Sequence, residues 1–155
     1  PHQGLATNET TGEAEKQQYR AQRLLCTQCN KSFTCLPADL LPHKHYIATE
    51  IENVVGHLLA GGKVSDAPSV ADASTMRRWL KEYSQKLAQW AGSLEDMISQ
   101  GSGQAPSLVR LISNPLKRLE ETLSRLPPLP SRWTVLVKAL WWLENSHPLS
   151  LPRPP

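Results

Sequence analysis

An apolar seam along residues 74–100 constrains the fold of this chain more than any other sequence feature. Its spacing alternates between four and three residues, which keeps the side chains on one face of an α-helix for about seven turns. We predict a helix from Ser74, as its N-cap, to about Gln100. We interpret the seam as the core-facing side of a helix in a bundle, with a dimerising coiled coil as the alternative. The seam consists of Met76, Leu80, Tyr83, Leu87, Trp90, Leu94 and Met97.

A shorter helix is predicted before the seam, from Thr49 to Ala60. Thr49 is its predicted N-cap and Glu52, three residues later, completes a capping box. Gly61 and Gly62 supply the left-handed residue that ends such a helix. Between the two helices, Pro68 and Ser69 are predicted to open a further short helix.

Leucines after the flexible residues 101–103 predict more helix towards the C-terminus. This helix is kinked or split at Pro115, and Pro127 and Pro128 end it. Ser131 is the predicted N-cap of a last helix from Arg132 to Asn145, which carries Trp141 and Trp142. The residues after it are rich in proline and expected to be extended.

Length and amino-acid composition narrow the expected fold class. A chain of 155 residues suits one domain or two small ones, and thirteen prolines, nine of them from Pro106 onward, argue against a large β-sandwich or a doubly wound α/β domain. The expected fold is mainly α, with a small hairpin before the helices. Lys and Arg total 17 against 14 Asp and Glu, so the net charge of +3 permits a local basic patch without proving one.

The expected location is the cytoplasm. The polar N-terminus shows no secretory signal. The longest apolar stretch, Val135 to Leu143, has about nine residues, whereas a membrane-spanning helix needs about twenty. Three cysteines do not make a disulfide scaffold, which favours a reducing compartment. The first residue, Pro1, indicates either a processed chain or a piece of a longer reading frame.

We divide the chain into five segments. Residues 1–22 are polar and are expected to form a flexible or degraded arm, and residues 23–47 a short hairpin followed by a connector. Residues 48–100 and 104–146 are two helical regions, and residues 147–155 are the tail.

Two cysteines form a Cys-x-x-Cys pair, Cys26 and Cys29, in a polar knuckle. Thiolates at this spacing can bind one zinc ion, but a closed structural site needs four ligands. The available substitutes for the missing two are His2, Cys35, His43 and His45. The alternatives are that Cys35 is a core residue and that the histidines are solvated surface residues, so zinc binding stays open. A redox role is less well supported, since the βαβ setting is missing.

The run LLCTQCNKSFTCLPADLLPHKHY, residues 24–46, resembles the signature of a family of uncharacterised bacterial proteins, a domain of unknown function similar to the N-terminal regions of insertion-sequence transposases. The match covers residues 23–46 and weakens through residue 90. The family typically begins with another cysteine pair, Cys-Pro-x-Cys-Gly, in a zinc-ribbon-like arrangement. Here Gln3 stands where the second cysteine of that pair would be, so the ribbon is expected to be incomplete.

This resemblance also implies a helix-turn-helix, made by the helix from Thr49, the segment 68–71 and the helix from Ser74. The second helix of such a motif enters the major groove of DNA. Arginine can bind guanine, glutamine can read adenine, and serine and lysine can hold phosphates, as can the amides of the helix N-terminus. The alternative is an ordinary amphipathic helix with a solvated basic side. The candidate DNA-binding residues are Ser74, Thr75, Arg77, Arg78, Lys81 and Gln85.

Catalysis is not expected. Transposase chemistry needs three carboxylates that hold two metal ions on an α/β core, and the acidic residues here are scattered over loops and helix surfaces. The predicted function is a non-catalytic DNA-binding module, with duplex DNA and a homodimer or transposase-like partner as candidate partners. The alternative is a helical protein-interaction or assembly domain that uses the seam and the helix from Trp133 to Trp142 as contact surfaces.

Overall fold

The computed structural model describes residues 2–8, 10–102 and 111–145, excluding the side chains of residues 2, 101 and 102. These residues form four strands in two separate antiparallel hairpins and four α-helices, so the mainly α prediction with a small hairpin region is correct. None of the described helices is long and apolar enough to cross a membrane. The elements are β1 (His2–Thr7), β2 (Ala14–Tyr19), β3 (Gln22–Leu25), β4 (Ser32–Cys35), α1 (Ala48–Leu59), α2 (Ala73–Ser102), α3 (Pro115–Leu123) and α4 (Val135–Asn145).

The apolar seam of α2 faces the core, as predicted. Met76, Tyr83, Leu87 and Leu94 are buried, Trp90 and Met97 are partly buried against the same cluster, and Leu80 is half-buried. This packing favours the core-facing interpretation of the seam over the dimerising coiled coil. The largest fully buried side chains are Trp79, Ile51, Leu87, Leu94, Leu119, Leu136, Val54 and Val55.

The predicted helix boundaries are nearly correct, but three predicted caps are wrong. The residue at the N-cap position of α1 is Ile47, which makes no side-chain cap bond, and Thr49 lies exposed inside the helix. Asp72 rather than Ser74 precedes α2, and its carboxylate accepts from the amides of the first turn. α4 begins at Val135, after Thr134, and not at Ser131.

Glu52 does not form the predicted capping box. Its carboxylate instead accepts a hydrogen bond from the amide of Leu136, at 3.2 Å, in the first turn of α4. Glu52 on α1 thus caps a helix that begins 83 residues later in the chain, counted from residue 52 to residue 135. Burial is the largest effect on this carboxyl and raises its pKa, although the bonds to the first turn of α4 lower it in part.

The loop between α1 and α2 contains no helix at Pro68. A single 3₁₀ turn, Val64–Asp66, lies there instead. Gly61 follows α1 with a φ of 90°, as predicted for a left-handed C-terminal residue. Pro115 is the first residue of α3, with Asn114 as its N-cap, so the predicted split at this proline is correct. Leu108 and residues 147–155 lie outside the described residues.

β1 and β2 pair in a hairpin, whereas the polar composition of residues 1–22 predicts a flexible or degraded arm. The backbone of Leu5 on β1 bonds to the connector before α1, with its amide donating to His45 O at 2.7 Å and its carbonyl accepting from Ile47 at 3.0 Å. Thr7 then donates two hydrogen bonds, from its amide and its hydroxyl, to the buried carboxylate of Glu50 on α1. Backbone bonds and one buried carboxylate therefore hold this hairpin against α1.

The predicted second hairpin, formed by β3 and β4, is also present. Its register pairs Leu25 with Ser32 next to the turn and Gln22 with Cys35 at the far end. Asn30 closes the turn with a φ of 55°, a conformation that asparagine tolerates better than most residues. All eight strand residues are exposed, so this hairpin contributes little to the core.

Candidate nucleic-acid interface

The start of α2 is organised by Asp72. One of its carboxylate oxygens accepts from the amides of Ser74 and Thr75, both at 2.9 Å, and the hydroxyls of the same two residues donate to the carboxylate as well. These bonds, chiefly that of the Ser74 hydroxyl, hold the pKa of Asp72 well below its usual range. The hydroxyl of Ser74 and the amides of Ser74 and Thr75, which we predicted to hold a phosphate, are therefore already used within the helix cap.

The basic side of α2 begins one turn later. Arg77, Arg78, Lys81 and Gln85, which we call the basic face, are all exposed. At 100° per residue they cover about a quarter to a third of the helix circumference. The four members are brought together as the sequence predicts, since they follow helical periodicity.

Buried aromatic rings hold the opposite side of the same turns. Trp79 is 1% exposed, and its ring meets that of Tyr46 edge to face at 4.9 Å between centroids. Tyr83, one turn further on, is also buried, which raises the pKa of its hydroxyl well above the usual value. Because both anchors are packed, the backbone that carries the basic face is fixed in orientation.

The acidic residue nearest in sequence to the basic face is engaged elsewhere. Glu82 accepts from the ammonium groups of Lys44 and Lys86, each at 2.6 Å. Burial raises the pKa of Glu82, but the hydrogen bonds from the two lysines outweigh it, and the net pKa lies below the usual value. Within the described part of the chain, Arg77, Arg78 and Lys81 form no ion pair.

Sequence reasoning missed two residues of this region. Lys44 lies 38 residues before its partner Glu82 and also stands 5.6 Å from the centre of the Tyr83 ring, which no local pattern could indicate. Gln89 is exposed one helical turn after Gln85 and extends the polar surface of the basic face. Helical periodicity would have found Gln89 had the pattern been followed further.

The cysteine pair lies at the turn of the second hairpin. The amides of Cys29 and Gln28 and the thiol of Cys29 donate hydrogen bonds to the sulfur of Cys26, and the Cys29 amide is the main cause of its lowered pKa. Cys26 is half-buried and Cys29 exposed. Such a turn stabilises a thiolate, so this pair of residues suits a soft metal ion as half of a ligand set.

The predicted additional ligands do not join the pair. Cys35 is exposed rather than a core residue, and the register places it opposite Gln22, four residues from Cys26. That is about 13 Å along the hairpin, at roughly 3.3 Å per residue. Among the residues described, no three His, Cys, Asp or Glu side chains form a group that could hold a metal ion, which leaves His43 and His45 outside such a site. The side chain of His2 lies outside the described set.

These observations define a helical domain that carries two small hairpins, an exposed basic helix face and a Cys-x-x-Cys turn. A family model matches residues 6–79, and its description is Domain of unknown function (DUF6431). The matched residues run from the end of β1 through the connector and α1 to Trp79 in the first turns of α2. Neither the curated proteins nor the solved structures contain a match to the chain.

Proposed function

We propose that this protein is a non-catalytic DNA-binding module that contacts duplex DNA through the basic face of α2. The observation that carries the proposal is the exposure of Arg77, Arg78 and Lys81, which form no ion pair with the described acidic residues, on a helix whose opposite side is fixed by Trp79. A row of free cations on a rigid helix is the arrangement that binds a phosphate backbone.

In this proposal the two helices α1 and α2 act as a helix-turn-helix-like pair. α1 packs behind α2 through Ile51, Val54 and Val55, which are fully buried, and α2 presents its basic face to the major groove. Residues 60–72 between them are longer than the turn of a compact motif. The lysine and arginines bind phosphates or guanine edges, and Gln85 is placed to read an adenine.

The hydrogen bonds at the N-terminal cap of α2 limit the contacts that this module can make with DNA. Since Asp72 already accepts from Ser74 and Thr75, we assign these two residues a helix-stabilising role and expect the phosphate contacts to come from Arg77 onward. The resemblance of residues 23–46 to transposase N-terminal regions supports a module that is derived from, or accessory to, a mobile element.

The second candidate function, a helical protein-interaction domain, is supported by fewer observations than DNA binding. Most of the seam of α2 packs in the chain's own core, so little of it is left for contact with a partner. Trp141 on α4 is 37% exposed and stacks edge to face on Trp142, and an exposed tryptophan is a common anchor of interfaces. This observation favours a contact surface on α4.

The salt dependence of DNA binding tests the first proposal. Affinity of the full chain for a random-sequence duplex should fall steeply with salt, and the double variant Arg78→Ala/Lys81→Ala should lower the slope of log K against log salt by about two, at about one per phosphate contact. The matched control is Lys117→Ala/Arg132→Ala, which removes two exposed charges outside α2.

Three results would contradict the proposal. These are undetectable binding at low salt, an equal loss in the control variant, and unchanged affinity in the α2 variant with its helical circular dichroism retained. Because both substituted side chains are exposed, we expect the fold of each variant to survive.

A further inference from the structure

The β3–β4 hairpin makes little contact with the core of the chain. All eight of its strand residues are exposed, including Phe33 at 51% and Leu25 at 60%. An isolated two-stranded hairpin is marginally stable at best in water. The buried core of the described residues therefore contributes little to the stability of this hairpin.

The turn of this hairpin holds two metal ligands and lacks the others. Cys26 and Cys29 share one knuckle, which is closed by two backbone bonds of 2.9 Å, from the amide of Cys26 to Lys31 O and from the amide of Asn30 to Cys26 O. Cys35 lies too far along the hairpin to join them, and the described residues contain no group of three ligands. A structural zinc ion needs four ligands in a tetrahedron, at about 2.3 Å for each sulfur.

We propose that one zinc ion joins two copies of this chain, with Cys26 and Cys29 of each copy as its four ligands. Two identical halves complete the tetrahedron without any further ligand type, and the exposed position of the knuckle leaves it open to a second copy. Each of the four thiols gives up its proton when the ion binds. This inference does not depend on the proposed binding of DNA.

The charges around the knuckle suit such a site. Four thiolates and one Zn²⁺ have a net charge of −2, and each copy carries the exposed cations Arg23 and Lys31 on the same hairpin. The cations of two copies would otherwise repel one another across the interface, and the anionic centre offsets this. Leu25, next to Cys26, would lose its exposure in the dimer and add apolar contact.

Native mass spectrometry and light scattering of the full chain, in a non-thiol reductant, test this inference. Added zinc should convert monomer to dimer at one ion per two chains, and a chelator should reverse the conversion. Cobalt in place of zinc should give the thiolate-to-metal absorption of a four-sulfur site. Cys29→Ser should abolish the zinc-dependent dimer, whereas Cys29→His, which keeps a ligand, should retain it.

Cys35→Ser is the matched control, since it removes an exposed thiol of the same hairpin outside the knuckle, and we expect it to dimerise normally. One zinc ion on a monomer would overturn the inference, because the missing ligands would then come from the same chain. No zinc uptake at micromolar concentration, or a dimer that ignores the chelator, would overturn it as well. DNA binding is measured separately, so its failure leaves these outcomes unaffected.

Discussion

Individual carboxylates determine how the helices of this protein begin and meet. Asp72 caps α2, Glu52 caps α4, and Glu50 holds the first hairpin through Thr7. Glu95 on α2 receives two parallel hydrogen bonds from the guanidinium of Arg118 on α3, both at 2.8 Å. These four acidic residues, which look scattered in the sequence, therefore cap or join elements of the fold.

Glu52→Gln tests the role of the buried cap and its dependence on pH. Burial raises the pKa of Glu52 above its usual value of 4.5 in the folded state. Ionisation is then easier in the unfolded chain, so this residue's contribution to stability is fully present below pH 4.5 and falls as the pH rises through the raised pKa. Glutamine keeps an oxygen that can accept from Leu136 and does not ionise.

We therefore expect the Glu52→Gln variant to gain in unfolding free energy relative to the wild type as the pH rises from 4 to 7. Urea denaturation across this pH range measures the difference. Glu144→Gln, an exposed site on the last turn of α4, is the control and should show no such trend. A difference that is constant with pH, or that shrinks, would show that Glu52 is not penalised by burial.

At the scale of elements, the first hairpin depends on close contact at Gly4. A methyl group at this position would lie 2.8 Å from Ile47 Cγ2, 2.9 Å from Leu40 Cδ2 and 3.0 Å from the ring of Tyr19. The first two contacts are closer than real side chains allow and the third is tighter than most, so β1 or these side chains would have to move. The absence of a side chain at Gly4 thus permits the two backbone bonds between Leu5 and the connector.

Gly4→Ala should therefore destabilise the protein by about 1–3 kcal/mol, the usual cost of overpacking. Gly92→Ala is the contrasting variant, because a methyl group there meets no atom within 4 Å. It lies inside α2, where alanine is favoured over glycine by about 0.5–1 kcal/mol. Thermal denaturation of both variants should show shifts of opposite sign, and a stable Gly4→Ala protein would refute the close packing.

The elements differ in how well the sequence predicts them. The periodicity of α1 and α2 fixes both helices, because a buried stripe and an exposed face repeat with the helical turn. The caps were misassigned because Glu52 bonds to a residue 84 positions away and Asp72 displaces Ser74. β1 and β2 are polar strands held by backbone bonds to the connector, and such pairing leaves no hydrophobic pattern to read.

For the candidate site too, the sequence predicts some features and not others. Exposure of Arg77, Arg78, Lys81 and Gln85 follows from the position of the apolar stripe, so the sequence predicts it. The engagement of Ser74 and Thr75 with Asp72 depends on where the helix begins, which sequence patterns locate only approximately. The neutralisation of Glu82 by Lys44 is a tertiary contact between the connector and α2, and no spacing rule indicates it.

At the scale of the whole molecule, stability is concentrated in the helices. Buried residues from α1, α2, α3 and α4 belong to one cluster, with Leu87 and Leu94 of α2 fully buried. The first hairpin is hydrogen-bonded to the connector and to Glu50 of α1, and both strands of the second hairpin are exposed. The free energy of local opening should therefore be lowest at the β3–β4 hairpin and highest in the middle of α2.

Hydrogen exchange of backbone amides measures this gradient. Without metal, the amide of Cys26, bonded across the turn to Lys31, should exchange at least about 100-fold faster than that of Leu87, a gap of roughly 3 kcal/mol in opening free energy. Zinc should slow exchange in residues 22–35 and leave the middle of α2 unchanged, because the ion stabilises only the element that binds it. Equal protection of the hairpin and α2 in the metal-free protein would mean that the hairpin is held by the rest of the chain and needs no second copy.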